Sequence, residues 1–142
     1  MTDIWTLDTQ LAADTKSVGD LPLCRVLVMN DSQYPWVILV PRVAGIREIY
    51  ELEAMQQQQL LQESTFLSMW LMKHFKGEKL NIGALGNVVP QLHMHHIVRF
   101  KADPAWPSPV WGKHPAVAYE EKALHEFCDA LKEGLRLQQP LS

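Results

Sequence analysis

The chain has 142 residues, of which 47% are hydrophobic and 20% are charged, and its formal net charge is −3 at pH 7. These values are ordinary for a globular protein that buries its own core, and we expect residues 1–142 to form a single domain. The slightly acidic balance and the lack of a lysine- or arginine-rich run argue against a surface that coats extended nucleic acid. A small phosphate-bearing ligand needs only local positive potential and stays compatible with this composition.

The amino-terminal residues show no basic segment followed by an apolar one, so we expect no signal peptide. No apolar stretch approaches the roughly 18 residues of a membrane span, and we expect no membrane association. Cys24 and Cys128 fit neither a CxxC pair nor a disulfide framework. A reducing cytoplasm is therefore the expected location.

The first forty residues predict an antiparallel hairpin. Residues 8–13 are compatible with a short helical turn, and Gly19-Asp20 indicates a turn. Two aliphatic and β-branched segments, residues 22–29 and 36–40, predict strands. The polar residues 30–33 between them supply turn chemistry, and so short a connection predicts an antiparallel pair.

A long helix and two more strands follow. From about Glu53 to Phe75 there is no Gly or Pro, and apolar residues recur at helical spacing up to a stop at Gly77. Residues 79–84 and 91–100 predict strands, and residues 119–137 predict an amphipathic helix after a loop rich in Trp and Pro. This order of elements implies an α+β domain on an antiparallel sheet.

The most informative segment is Gln91-Leu92-His93-Met94-His95-His96-Ile97-Val98. Side chains alternate along a strand, so Gln91, His93 and His95 are predicted to share one face and His96 the other. Residues two apart lie roughly 6.6–6.8 Å from each other, which lets two imidazoles bracket a phosphate or share a metal. We interpret His96 as a hydrogen-bonded core histidine.

A metal site is the weaker alternative for this histidine pair. His-x-His pairs on strands occur in zinc and iron sites, but such sites need a third and usually a fourth ligand. Only the distant His74, His114 or a carboxylate could supply it. We therefore expect no metal and no cofactor, and keep a small metalloprotein as an alternative.

The segment from Asn81 to His95 resembles the signature of the histidine-triad (HIT) superfamily. In that family an Asn-x-Gly and a glycine-containing loop precede a strand with the pattern His-φ-His-φ-His-φ-φ, where φ is apolar. The hairpin that ends at Val37–Arg42 and the long helix after it also resemble the family. The resemblance covers about residues 20–100 and leaves 101–142 as a C-terminal loop and helix. It implies an α+β, HIT-like fold with about five antiparallel strands, one long helix and a C-terminal helix.

The resemblance also implies a nucleotide-binding hydrolase or transferase that acts at the α-phosphate through a nucleotidyl-histidine intermediate. By position, His93 is the nucleophile, because a neutral imidazole has a free lone pair. His95 is the histidine that contacts phosphate oxygens and assists the leaving group. The positions assigned to nucleotide or phosphate binding are Asn81, Gly83, Gly86, Asn87, Val88 and, near the ribose, Asp31. The family commonly forms homodimers through its helix and a sheet edge, so we expect a homodimer.

The chain departs from the family pattern at Gln91, which occupies the first triad position. An amide can donate and accept hydrogen bonds but cannot take up a proton near neutrality. Gln91 would therefore keep a supporting contact in the catalytic group and lose any proton relay, and Gln91→His is expected to retain or raise turnover. A non-catalytic nucleotide-binding or regulatory protein remains the alternative. Trp106 and Trp111 fit a cleft wall, a subunit interface or simple packing of the C-terminal segment.

Overall fold

The structure is a computed structural model that describes residues 4–140. Its elements in chain order are α1 (Thr9–Asp14), β1 (Thr15–Asp20), β2 (Cys24–Met29), β3 (Trp36–Pro41), a short 3-10 helix (Ile49–Glu51), α2 (Ala54–Phe75), β4 (Lys79–Gly83), β5 (Met94–Arg99) and α3 (Glu121–Leu135).

The five strands form one antiparallel sheet in the order β1-β2-β3-β5-β4. Strands β2 and β3 are the predicted hairpin, in which Cys24 lies opposite Pro41. The chain then crosses over through α2, so that β5 pairs with β3 on one side and with β4 on the other. The predicted α+β fold, with a long helix and a C-terminal helix, is confirmed.

Strand β1 was not predicted, and the turn expected at Gly19-Asp20 lies inside it. Its first residues are polar and exposed, because β1 is an edge strand, and its register shifts between Ser17 and Gly19. A Cβ at Gly19 would lie 2.7 Å from the Cβ of Leu137, so glycine here allows the C-terminal segment to approach. The segment bridges back to the strand between Asp20 and Gln138.

Both faces of the sheet are covered, which explains why β2 and β3 read as continuous apolar runs. Helices α2 and α3 pack on one face, where Val26, Val37 and Leu67 are fully buried. The N-terminal segment and the loop after β5 cover part of the other face, around Leu27, Trp36 and Ile97. Among residues 4–140, no helix has the length and apolarity to cross a membrane.

Helix α2 has the predicted extent. It begins after a capping box formed by Glu53 and Gln56 and ends at Phe75. The left-handed residue that closes it is Lys76, with φ of 52°, rather than Gly77. Gly77 is needed for space, because a Cβ there would overlap the side chain of Val98.

Candidate active site

His93 lies immediately before β5, because the strand predicted over residues 91–100 begins only at Met94. Its side chain is 6% exposed, and its Nδ1 lies 2.7 Å from the carbonyl oxygen of Gln91. A carbonyl oxygen can only accept, so Nδ1 is the donor. In the neutral ring the free lone pair is therefore on Nε2, which is the atom able to act as a nucleophile.

His95 lies in the middle of the sheet, opposite Ile38 of β3 and Gly83 of β4. Its Nδ1 accepts a hydrogen bond of 3.0 Å from the indole Nε1 of Trp36. Burial lowers the pKa of His95 to about 3, and the neighbouring imidazoles of His93 and His96 act in the same direction. The His95 ring is thus neutral at physiological pH.

The rings of His93 and His95 are in contact, edge to face, with their centroids 4.8 Å apart. Although His93 precedes the strand, the chain keeps both imidazoles on the side of the sheet away from α2. The structure therefore assembles the pair that the His-x-His spacing predicted.

His96 points to the opposite face and is fully buried. Its Nε2 lies 2.7 Å from Oγ of Ser64 on α2, and its Nδ1 lies 3.1 Å from the carbonyl oxygen of Met94. Burial lowers the pKa of His96 to about 4. The interpretation of His96 as a hydrogen-bonded core histidine is confirmed.

Gln91 connects the histidines to the N-terminal segment. Its Oε1 accepts a hydrogen bond of 2.9 Å from the backbone N–H of Asp8, and its Nε2 donates one of 2.9 Å to the carbonyl oxygen of Thr6. Asp8 in turn caps α1. The side-chain amide of Gln91 is therefore engaged with backbone, while its own carbonyl holds His93.

A cavity of about 450 Å³ adjoins His95. Its other walls include Asp14, Asp31, Trp36, Trp111 and His114. The Trp111 indole contacts the His95 ring with centroids 5.4 Å apart, and it covers Gly83, where a Cβ would lie 3.1 Å from the indole. Three roles were considered for Trp106 and Trp111, and the structure shows that Trp111 forms a wall of the cleft.

Trp106 has a different environment. The guanidinium of the buried Arg99 lies 5.5 Å from the centre of its ring, a cation–π contact. Arg99 also binds Asp103 and the side chain of Asn81, whose Oδ1 accepts a bond of 2.8 Å. Trp106 therefore packs the loop after β5 onto the sheet, and Asn81 takes part in the same cluster.

The other predicted ligand positions are divided between the cavity and a loop. Asp31 is buried at the cavity, where its Oδ1 accepts hydrogen bonds from Gln33 and Val117. Gly86, with φ of 70°, borders a small notch beside His93. Asn87 and Val88 are exposed on the loop between β4 and β5.

The chain matches the sequence model of the HIT domain family over residues 10–102. The chain belongs to the HIT domain family. A histidine triad protein from Marinobacter aquaeolei VT8 is 56% identical, with a TM-score of 0.92 over 94% of this chain and 98% of that one. A histidine triad protein from Bradyrhizobium japonicum is 45% identical, with a TM-score of 0.91 over 93% of this chain and 98% of that one.

A more distant structure shares the fold alone. Diadenosine triphosphate hydrolase from Plasmodium falciparum is 14% identical, with a TM-score of 0.61 over 95% of this chain and 84% of that one. No curated protein matches the chain.

The alternative that His93 and His95 bind a metal requires further ligand side chains close to them. Across residues 4–140, no three side chains of His, Cys, Asp or Glu lie close enough together to hold a metal ion. His74 lies instead on α2, where its ring stacks on that of Trp70 at 4.5 Å.

Sequence reasoning missed two residues at the site, Trp36 and Arg47. Trp36 opens β3, and only the pairing of β3 with β5 shows that it meets His95. Arg47 borders the notch beside His93 and forms no ion pair within the described part of the chain. The place of Arg47 in the sequence, as a basic residue soon after the hairpin, was a feature that could have pointed to it. No feature of the sequence pointed to Trp36, because its contact with His95 depends on the β3–β5 register.

Proposed function

We propose that the protein is a nucleotide-binding hydrolase or transferase that acts at the α-phosphate of a nucleotide conjugate, with His93 as nucleophile. The observation that carries this proposal is the orientation of the His93 ring. Its Nδ1 is held by the Gln91 carbonyl, so Nε2 keeps its lone pair, and this ring touches His95 at the edge of a 450 Å³ cavity. Membership of the HIT family supports the same chemistry.

In the proposed reaction, Nε2 of His93 attacks the α-phosphorus. A P–N bond forms, and the bond from phosphorus to the leaving group breaks, with its electron pair leaving on that group. The leaving group takes a proton from solvent where its basicity requires one. Water then attacks the same phosphorus: a P–O bond forms, the P–N bond breaks with its electron pair returning to Nε2 of His93, and the water loses a proton to solvent, which releases a nucleoside monophosphate and restores the imidazole.

Neighbouring groups would stabilise the charge on the phosphoryl oxygens. Donors fixed in place before the reaction are effective because they need no reorganisation. We assign this role to the Nε2–H of His95 and to backbone N–H groups of the loop at residues 86–88. Arg47, at the notch beside His93, adds local positive charge where a polyphosphate would lie.

The nucleoside would occupy the cavity walled by Trp36 and Trp111. Asp31 is the proposed ribose ligand. Its Oδ1 accepts the hydrogen bonds from Gln33 and Val117, whereas its Oδ2 accepts none from residues 4–140. Oδ2 is therefore the oxygen available to a ribose hydroxyl. The free thiols of Cys24 and Cys128 support a reducing, cytoplasmic location.

A non-catalytic nucleotide-binding protein is the second candidate, and the contacts of Gln91 favour it. With its amide engaged by Thr6 and Asp8, the first triad position holds no group that titrates near neutrality. The test is a screen of the purified protein against adenosine phosphoramidate, dinucleoside polyphosphates and nucleotidyl sugars, each labelled in the nucleotide. Acid-labile label on His93 after quenching supports the enzyme. Saturable binding without label or product supports the binder.

We also propose a homodimer. Strand β4 is an edge of the sheet, and beside it lies an apolar groove that includes Leu61 of α2 and Ile82 of β4. These side chains are 68% and 50% exposed, respectively. An unprotected edge next to apolar surface favours pairing with a second copy.

A further inference from the structure

His95 and Trp36 are joined by a hydrogen bond whose direction is unambiguous. An indole N–H can only donate, so the His95 Nδ1, at 3.0 Å, must present its lone pair. A neutral imidazole carries one proton, which is then on Nε2. A cationic His95 would need a proton on Nδ1, where the indole N–H already lies.

The position of Trp36 is set by the sheet. Trp36 lies opposite Ile97 in the pairing of β3 with β5, so His95, two residues from Ile97, is its diagonal neighbour on the same face. Trp36 is 7% exposed, and its ring is bounded by Tyr34 at 6.3 Å and Trp111 at 6.5 Å between centroids. The donor is therefore preorganised by packing.

The charged groups around His95 do not compete for its Nδ1. The titratable side chains near it are His93 on the same side of β5, His96 on the opposite face, and Asp14, Asp31 and His114 at the cavity. Among residues 4–140, the His95 side chain forms one hydrogen bond, which it accepts from Trp36. Trp36 alone therefore selects the tautomer.

We propose that Trp36 is a positioning residue that locks His95 in the neutral Nε2–H tautomer, so that His95 serves as a fixed hydrogen-bond donor and not as a proton carrier. This changes the role first inferred for His95, in which it assisted the leaving group. Its use on a phosphoryl oxygen rests on the proposed function, whereas the tautomer itself does not.

The first test uses the wild-type chain without ligand, labelled with ¹⁵N in histidine and tryptophan. At pH 7, NMR is expected to show the His95 proton on Nε2 and a scalar coupling across the hydrogen bond from Trp36 Nε1 to His95 Nδ1. A His95 proton on Nδ1, or a mixture of tautomers without this coupling, would overturn the proposal. No substrate is involved, so the result is independent of catalysis.

The second test compares Trp36→Phe with Trp106→Phe, a matched change of a tryptophan that does not touch His95. Trp36→Phe is expected to populate both His95 tautomers. With a substrate that the wild type turns over, Trp36→Phe is also expected to lower turnover roughly tenfold, which is the effect of losing about one hydrogen bond. Trp106→Phe should keep the Nε2–H tautomer. If folded Trp36→Phe shows only the Nε2–H tautomer, the proposal that Trp36 selects the tautomer is overturned. If that variant does not fold, the scalar coupling between Trp36 and His95 in the wild type decides the question. A locked tautomer in a protein without turnover would support the lock and reject the proposed enzyme.

Discussion

The Nδ1 atoms of His93 and His95 have opposite hydrogen-bonding roles, although the two rings touch. Nδ1 of His93 donates to the Gln91 carbonyl, and Nδ1 of His95 accepts from Trp36. In their neutral forms, His93 therefore offers a lone pair on Nε2 and His95 offers an N–H. Such a pair can combine attack on phosphorus with stabilisation of its oxygens, without proton transfer between the rings.

Removing the His93 imidazole should abolish nucleotidyl transfer. We expect His93→Ala to lower single-turnover transfer from a labelled substrate by on the order of 10³-fold or more, because no other side chain presents the attacking nitrogen. His125→Ala, an exposed histidine on α3, is the matched control and should transfer at the wild-type rate. Near wild-type transfer by folded His93→Ala would eliminate His93 as the nucleophile.

Changing Gln91 should affect stability more than chemistry. Gln91→Ala removes two hydrogen bonds to backbone and is expected to lower the free energy of unfolding by about 1–3 kcal/mol in urea titrations. The free energy of unfolding of Gln91→Glu should lie between those of the wild type and Gln91→Ala, because a carboxylate can accept from the N–H of Asp8 but cannot donate to the carbonyl of Thr6. The exposed Gln62→Ala should be close to neutral.

The same contacts revise the expectation for Gln91→His. A side chain engaged with Thr6 and Asp8 is not placed to relay protons, so we now expect lower stability and no gain in turnover. Turnover measured at equal folded concentration checks this. A clear rate increase would restore the interpretation of Gln91 as part of a working catalytic group.

Trp111 should contribute to nucleotide affinity. Trp111→Ala removes a wall of the cavity, and the loss of one base–aromatic contact corresponds to roughly tenfold weaker binding of a labelled nucleotide in titration calorimetry. Trp106→Ala should destabilise the loop after β5 but leave the affinity of the folded protein unchanged. Equal losses of affinity in both variants would indicate a general disturbance of this loop.

Mild acid should destabilise the fold through its buried histidines. The pKa values of His95 and His96 are lowered to about 3 and about 4, from an ordinary 6.5. The unfolded chain therefore binds protons that the folded one does not as the pH falls below 6.5. Stability is full above that pH and declines down to the folded pKa values, by roughly 2 kcal/mol for each ring at pH 5.

Urea titrations at pH 7 and pH 5 measure this decline. His96→Gln, which replaces a titrating ring with a neutral amide, should show a smaller difference between the two pH values than the wild type. His125→Gln should retain the wild-type difference. An unchanged difference in His96→Gln would show that His96 is not held neutral by the fold.

The proposed dimer should depend on the apolar surface beside β4. In sedimentation at micromolar concentration we expect the wild type to be a dimer and Leu61→Glu to be a monomer, because the new charge would be buried without a partner. Ile4→Glu, which changes an exposed residue far from α2 in sequence, should remain dimeric. A monomeric wild type would contradict the proposal.

The sequence by itself determined the features that depend on neighbours along the chain. Periodicity and the absence of Gly and Pro sufficed for α2, and the short polar connection sufficed for the β2–β3 hairpin. The His-x-His spacing sufficed to bring His93 and His95 together, because alternation along an extended chain is a local property. The family resemblance predicted a sheet of about five strands. The residues of β1 did not predict a strand by themselves, because they are polar at the start and show no alternating pattern.

Only the tertiary structure decided the chemistry of the His95 ring and the contacts of the Gln91 side chain. The bond from Trp36 to His95 spans 59 positions and that from Asp8 to Gln91 spans 83, and both follow from pairings between distant segments. A sequence states which rings are present, but a tautomer depends on the one atom that faces each nitrogen. For His95 that atom is Nε1 of Trp36, which is set by the β3–β5 register and is encoded by no local pattern, whereas for His93 it is the carbonyl oxygen of Gln91, two residues earlier.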